Sequence, residues 1–245
     1  MKAVLLGATK GMGRALGRCL AERGERLFLL GRNAGDLARS ARDLEILGAP
    51  RPVGAAACDL LCPDGFASAL DEAAAALAGF DVVVVTAGLF ATQAQLEADP
   101  RLAADVLAAD FTGTVLFCEE ARKRLLASGG GTLCVFSSVA GERARKPVVL
   151  YGAAKAGLSR YLEGLDHKFR RQGLKTVCVK PGFVRTGMTA GLPTPPFAGR
   201  PDQAARRVLR AIDRGWPEVY VPGPWRCAMR VIRNLPRWVM RRIEF

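Results

Sequence analysis

The 245-residue chain is poor in the residues that most often carry metal, redox and nucleic-acid chemistry. It has one histidine, His167. A lone imidazole cannot build a histidine-bearing cluster, so no metal is expected. Seven cysteines, at 19, 58, 62, 118, 134, 178 and 227, form no Cys-x-x-Cys pair. They read as reduced core thiols of a cytoplasmic protein, not as a disulfide framework. Three tyrosines and three tryptophans offer few stacking platforms, and no RNA- or DNA-binding motif accompanies them. Nucleic acid is therefore not expected as a partner. Long apolar runs are missing too. Glycine interrupts the N-terminal MKAVLLGATKG before a signal-peptide core is complete. The most apolar window, 73–91, contains Asp81 and two glycines. It reads as a helix end, a turn and a buried strand instead of a membrane span.

Acids are scarce relative to bases: 23 Asp and Glu face 36 Lys and Arg, a formal charge of +13. The imbalance is concentrated at the end, where residues 200–245 carry eleven arginines against Asp202, Asp213, Glu218 and Glu244. Such a balance suits an anionic substrate or an anionic membrane surface.

What is present is a rhythm. Short β-branched or bulky apolar runs at 2–6, 26–30, 52–58, 81–85, 132–137, 175–180 and 218–221 alternate with helical patterns near 11–24, 34–47, 64–78, 100–127, 150–172 and 201–214. Continuously apolar strands point to a parallel sheet covered on both faces. The expected fold is α/β, a single doubly wound domain over 1–221 with a mostly parallel sheet of about seven strands. A Gly/Pro-rich excursion over 183–200 and an extension over 222–245 break the rhythm.

Chemistry gathers at the strand ends. The first strand runs into Gly7-Ala8-Thr9-Lys10-Gly11-Met12-Gly13, a glycine-rich turn opening a helix. Such a turn lets backbone approach a pyrophosphate, which then meets the free N–H groups and partial positive charge of the helix N-terminus. A carboxylate after the second strand would bond the 2′-hydroxyl of NAD. Gly31-Arg32-Asn33 stands there instead. Arg32 with Lys10 suits a 2′-phosphate, so the expected cofactor is NADP(H). Tyr151 and Lys155 stand at i and i+4, on one face of a helix. An ammonium beside a phenol favours the phenolate and lowers its pKa toward the working range. Ser138, closing the fifth strand, can hydrogen-bond a substrate carbonyl.

Taken in order, the glycine turn, Asp59-Leu60, Thr86-Ala87-Gly88, Ser138, Tyr151-x-x-x-Lys155 and Pro181-Gly182-x-x-x-Thr186 resemble the short-chain dehydrogenase/reductase family over about residues 1–221. The resemblance implies a Rossmann-like fold, a nicotinamide cofactor and hydride transfer to or from a carbonyl. It implies that Tyr151 is the general acid of reduction, that Ser138 orients the carbonyl, and that Lys155 binds the ribose while lowering the Tyr151 pKa. Pro181, Gly182, Val184 and Thr186 would line the nicotinamide, with Asp59 and Leu60 beside the adenine. Two positions depart from the family. Asp110 occupies the place of the usual relay asparagine, and Thr86 that of the asparagine after the fourth strand. Asp110 leaves open a different class of function, a non-catalytic NADP-binding regulator.

Within the family, the run SSVAGERARK with its basic, proline-containing tail is similar to the decaprenylphosphoryl-2-keto-ribose reductases, which act on a keto-sugar carried on a polyprenyl phosphate. Arg143, Arg145 and Lys146 lie between Ser138 and Tyr151, where arginines clamp phosphates. A solvated loop, or one pairing Glu142 with a neighbour, is the other reading. A 3-oxoacyl or general ketone reductase, with 183–200 as its lid, is the alternative activity. In the tail, Arg226, Arg230, Arg233, Arg237 and Arg241 fall on one helical face, and Pro236 is expected to split it into two short helices. Either this basic amphipathic segment of 225–245 makes peripheral membrane contact, or its apolar stripe packs on the body or on a second subunit. The long helices around 100–127 and 150–172 suggest a homo-oligomer, as is common in the family.

Overall fold

The computed structural model describes residues 1–195 and 197–243. Pro196 of the excursion and Glu244 and Phe245 of the tail lie outside the described residues.

Seven strands form one parallel sheet: β1 (Lys2–Leu6), β2 (Arg26–Gly31), β3 (Gly54–Ala57), β4 (Val82–Val85), β5 (Gly131–Phe136), β6 (Leu174–Pro181) and β7 (Glu218–Val221). Their order is β3-β2-β1-β4-β5-β6-β7. Alternate side chains feed two cores, which is why the strands read as unbroken apolar runs. Ala3, Leu5, Val82 and Val84 pack under α1 (Gly11–Glu22), α2 (Ala34–Ile46) and α8 (Pro201–Arg214). Val4, Leu6, Val83 and Val85 pack under α3 (Phe66–Leu77), α6 (Thr114–Ala127) and α7 (Val149–Phe169). The strand order reverses between β1 and β4, and a crevice opens at their carboxyl ends where such sheets bind ligands.

Two departures from the expected elements concern the site. The helix expected over 100–127 is interrupted: α5 (Pro100–Leu107) passes through a π-helical turn, Ala108–Gly113, before α6. The turn brings Gly113 so close to β3's exit that an added Cβ would lie 2.0 Å from the Leu60 carbonyl oxygen. An unexpected short helix, α4 (Gln93–Ala98), starts at a capping box made by Thr92 and Gln95.

The tail forms α9 (Trp225–Ile232) and α10 (Arg237–Met240), separated at Pro236 as expected. Trp225, Met229 and Ile232, at i, i+4 and i+7, pack on Val139 and Tyr220. The 183–200 excursion is pinned at its base, where Gly199 N–H donates to the Phe183 carbonyl at 2.9 Å and Arg185 N–H to the Gly199 carbonyl at 3.0 Å. Among the described residues, no helix is long and apolar enough to cross a membrane.

Candidate active site

The glycine turn after β1 is held by contacts that only glycines permit. Gly7 has φ of +96°, a left-handed conformation. A Cβ on Gly13 would stand 2.4 Å from the Gly7 carbonyl oxygen and 2.3 Å from Thr86 Oγ1. Thr86 explains its own presence: its hydroxyl lies 3.0 Å from the Gly7 carbonyl and 3.2 Å from that of Leu6, tying the turn to the end of β4. Lys10 precedes α1 without a side-chain cap, so the first N–H groups of α1 remain available to an anion.

This turn floors a cleft of about 320 Å³. Gly7, Thr9, Lys10, Gly11, Met12, Gly13, Arg32, Asp59, Leu60, Thr86, Ala87, Gly88 and Thr186 all line it. Arg32 is exposed at the rim after β2. Lys10, also on the rim, lies 3.6 Å from Asp36 in an exposed pair of little energetic weight. The cleft also takes in Cys58, Leu89, Ala109 and Met188, which carry no motif of their own.

Other expected positions do not line the cleft. Asn33 caps α2, its side-chain oxygen accepting from the Asp36 N–H at 2.8 Å. Pro181 offers its carbonyl to Ser138 Oγ at 3.4 Å. Gly182 lies beneath Trp225, whose indole would be 2.3 Å from an added Cβ. Val184 is buried and bridges to Gly199.

Ser138, Tyr151, Lys155 and Asp110 do not line the cleft but come together beside it, where a Cβ on the cleft-lining Gly88 would stand 2.6 Å from Asp110 Oδ1 and 3.5 Å from Lys155 Nζ. Ser138 Oγ accepts from the Ala140 N–H at 3.1 Å, which fixes the hydroxyl at the end of β5. The ring of Tyr151 meets Phe90 edge to face at 5.2 Å, and Lys155 Nζ lies 5.7 Å from the Tyr151 ring centroid. Lys155 is buried, with Nζ 3.3 Å from the Phe136 carbonyl and 3.7 Å from Asp110 Oδ2. Its own carbonyl accepts from Ser137 and Ser159 hydroxyls, both at 2.9 Å, so α7 is anchored at the lysine.

Asp110 sits in the π-helical turn, fully buried, with Oδ1 accepting from the Leu89 N–H at 2.8 Å. Burial raises its pKa, while Lys155 and the Leu89 N–H oppose the rise. The Tyr151 phenol is also pushed up, first by burial and then by the Asp110 charge, with Ser138 pulling the other way. This reverses the direction expected from the Tyr151–Lys155 spacing. Desolvation of the phenolate and the nearby Asp110 charge set this direction.

The GERARK loop is built into the tail. Arg143 Nη2 donates to the Leu235 carbonyl at 2.5 Å, so this arginine is a structural tie and not a free clamp. Burial lowers the Arg145 pKa. Glu142, almost wholly buried, receives Lys180 Nζ at 2.6 Å and the Tyr220 hydroxyl at 2.8 Å, with Arg233 at 3.6 Å. Lys180 also contacts Glu218. This network joins the segment after Ser138, the residue before Pro181, and the tail. Its members are too far apart in sequence for any local pattern to reveal it.

A sequence model of short chain dehydrogenases matches residues 1–195. The chain is 35% identical to an uncharacterized oxidoreductase of Streptomyces coelicolor over 98% of its own length and 94% of the relative. An uncharacterized oxidoreductase of Mycobacterium tuberculosis is 32% identical over 98% and 96%. The cis-4-hydroxycyclohexanecarboxylate dehydrogenase of Sinomonas cyclohexanicum is 33% identical over 78% and 76%. Among solved structures, an actinorhodin polyketide ketoreductase with NADPH superposes with a TM-score of 0.81 at 22% identity, covering 91% of this chain and 95% of that one. At that identity the likeness concerns the fold.

Proposed function

The chain belongs to the short-chain dehydrogenase family and is an oxidoreductase acting between CH–OH and C=O groups, and from that premise we propose that it is an NADPH-dependent ketone reductase. The observation that carries this reading is the meeting of Ser138, Tyr151 and Lys155 beside a glycine-floored cleft. The cleft rim bears Lys10 after β1 and Arg32 directly after β2, the position where an NAD site would carry a carboxylate.

The cleft fits a dinucleotide. Backbone N–H groups at the uncapped start of α1 would receive the pyrophosphate, Asp59 and Leu60 would lie beside the adenine, and Arg32 with Lys10 would balance a 2′-phosphate. Lys155 serves the nicotinamide ribose. When bound, the nicotinamide supplies the hydride. Tyr151, with its raised pKa, stays protonated through neutral pH and gives its proton to the carbonyl oxygen as negative charge grows there. Ser138 exchanges its long contact with the Pro181 carbonyl for the same oxygen and stabilises it.

For the substrate we propose an anionic ketone, in its specific form the polyprenyl-phosphate-linked keto-sugar of decaprenylphosphoryl-2-keto-ribose reductase. Arg145 and Lys146, on the loop between Ser138 and Tyr151, supply the cations that favour it. The Sinomonas relative, by its name, acts on a carboxylate-bearing cyclic alcohol, which also supports an anionic group near the reacting carbon. Rates with NADPH and with NADH should be measured on a neutral cyclic ketone, its carboxylate-bearing analogue and a phosphorylated keto-sugar. The expected result is NADPH preferred by about tenfold or more, as one charge-assisted contact allows, with lower KM for the anionic ketones. Preference for NADH would remove the cofactor assignment, and equal KM values would remove the anionic substrate.

A further inference from the structure

The tail divides its apolar residues between two directions. Trp225, Met229 and Ile232 face the protein, whereas Val231 is 64% and Trp238 60% exposed. In the same short segment, Arg226, Arg230, Arg237, Arg241 and Arg242 are exposed as well. Arg242 lies 5.3 Å from the Trp238 ring. No acid occurs between residues 225 and 243. Among the described residues, Arg226, Arg230, Arg237 and Arg241 have no acidic partner; exposed arginines elsewhere are mixed, Arg23 and Arg160 being paired and Arg42, Arg171 and Arg206 not, but only the tail gathers several along one short acid-free segment. An ordinary surface mixes charges of both signs around scattered apolar side chains. This one combines a single sign with an exposed tryptophan.

We propose that the outward face of residues 225–243 docks the protein onto an anionic lipid bilayer. Arginines near such a surface each add a favourable increment, and tryptophan settles at the boundary between headgroups and acyl chains. The inward face makes the patch rigid. Trp225 lies over Gly182, Arg143 holds the Leu235 carbonyl, and Arg233 approaches Glu142. Because Arg143 and Glu142 stand in the loop between Ser138 and Tyr151, docking fixes the active-site loop at a set height above the membrane. The neighbouring excursion packs against the tail through Gly199 on Pro222, just before α9. This docking does not depend on the catalytic reading, since an inactive Tyr151→Phe chain carries the same patch.

The test is co-sedimentation of the full chain with phosphatidylcholine vesicles, alone and with about a quarter phosphatidylglycerol to supply the negative surface potential. Binding is expected only to the anionic vesicles and should weaken as added salt shortens the screening length. Each of Arg226→Gln, Arg230→Gln, Arg237→Gln and Arg241→Gln should lower partitioning about fivefold, with Trp238→Ala lowering it further. All five side chains are exposed, so unchanged thermal melting would show the variants folded. Tyr151→Phe should bind like wild type. Equal binding to neutral vesicles, no binding, indifference to the four arginine substitutions, or retention on duplex DNA without retention on vesicles would each overturn the proposal.

Discussion

Asp110→Asn tests how the buried charge pair sets the chemistry. Asp110 Oδ2 lies 3.7 Å from Lys155 Nζ, with side chains 0% and 5% exposed, so solvent screens the pair little. Opposite unit charges at that separation attract by about 4 kcal/mol in an effective dielectric near 20. The amide of D110N can still accept the Leu89 N–H but cannot cancel the ammonium. If about a quarter of that interaction is felt at the phenol, its ionisation becomes easier by ~1 kcal/mol, a little under one pH unit. The direction is downward, because the Asp110 charge is among the causes that raise Tyr151. The assay is the pH dependence of kcat/KM for NADP⁺-linked oxidation of a model secondary alcohol such as 1-phenylethanol. There the phenolate acts as base and the rate climbs with its ionisation. In D110N the rising limb should move to lower pH by about 0.7 unit. A limb that stays in place, or moves to higher pH, would refute the reasoning. Stability follows a separate rule. A carboxyl raised by burial contributes stability that is complete below its ordinary pKa of 3.8 and is lost as pH climbs through the folded value. The melting advantage of wild type over D110N should therefore shrink from acid toward neutral pH.

Arg32→Asp should lower the ratio of NADPH to NADH efficiency by about tenfold to a hundredfold, since it removes one charge-assisted contact and adds repulsion. An unchanged ratio would place the 2′-phosphate elsewhere. Trp225→Ala uncovers Gly182 and opens the small cluster of Val139, Tyr220 and Met229. With the indole only partly buried, the cost should be ~2 kcal/mol, or a melting point lower by about 4–8 °C. A melting point unchanged from wild type would mean that the tail is a loose appendage.

The alternation of apolar runs was enough to foresee the seven strands, because the central strands are buried on both faces and read as unbroken apolar runs, while the edge strand β3 is small and half-exposed. The glycine turn was equally readable, since backbone crowding at Gly7 and Gly13 tolerates no side chain. The π-helical turn at Asp110 was not. LAADFTG suits an α-helix, and the irregularity accompanies the close approach of Gly113 to the Leu60 carbonyl, a contact remote in sequence. Asn33 carries a second, local role that a motif does not separate from ligand binding: a short polar residue before a helix caps it as readily as it meets a ligand. For Tyr151, spacing reveals the neighbouring Lys155 but neither the burial of that lysine nor the Asp110 charge beside it. The Glu142–Lys180–Tyr220–Arg233 network joins a loop, two strands and the tail, and only the folded chain brings those residues together.

The central claim is that Tyr151 protonates a carbonyl in a cofactor site that does not need its hydroxyl for affinity. Tyr151→Phe should be compared with wild type in NADPH oxidation on a ketone that turns over, alongside NADPH binding followed by fluorescence. Binding within about twofold of wild type and a turnover reduced by about a thousandfold or more is the predicted result, in the range expected for loss of a positioned acid. Near-normal turnover in the phenylalanine variant would contradict the account.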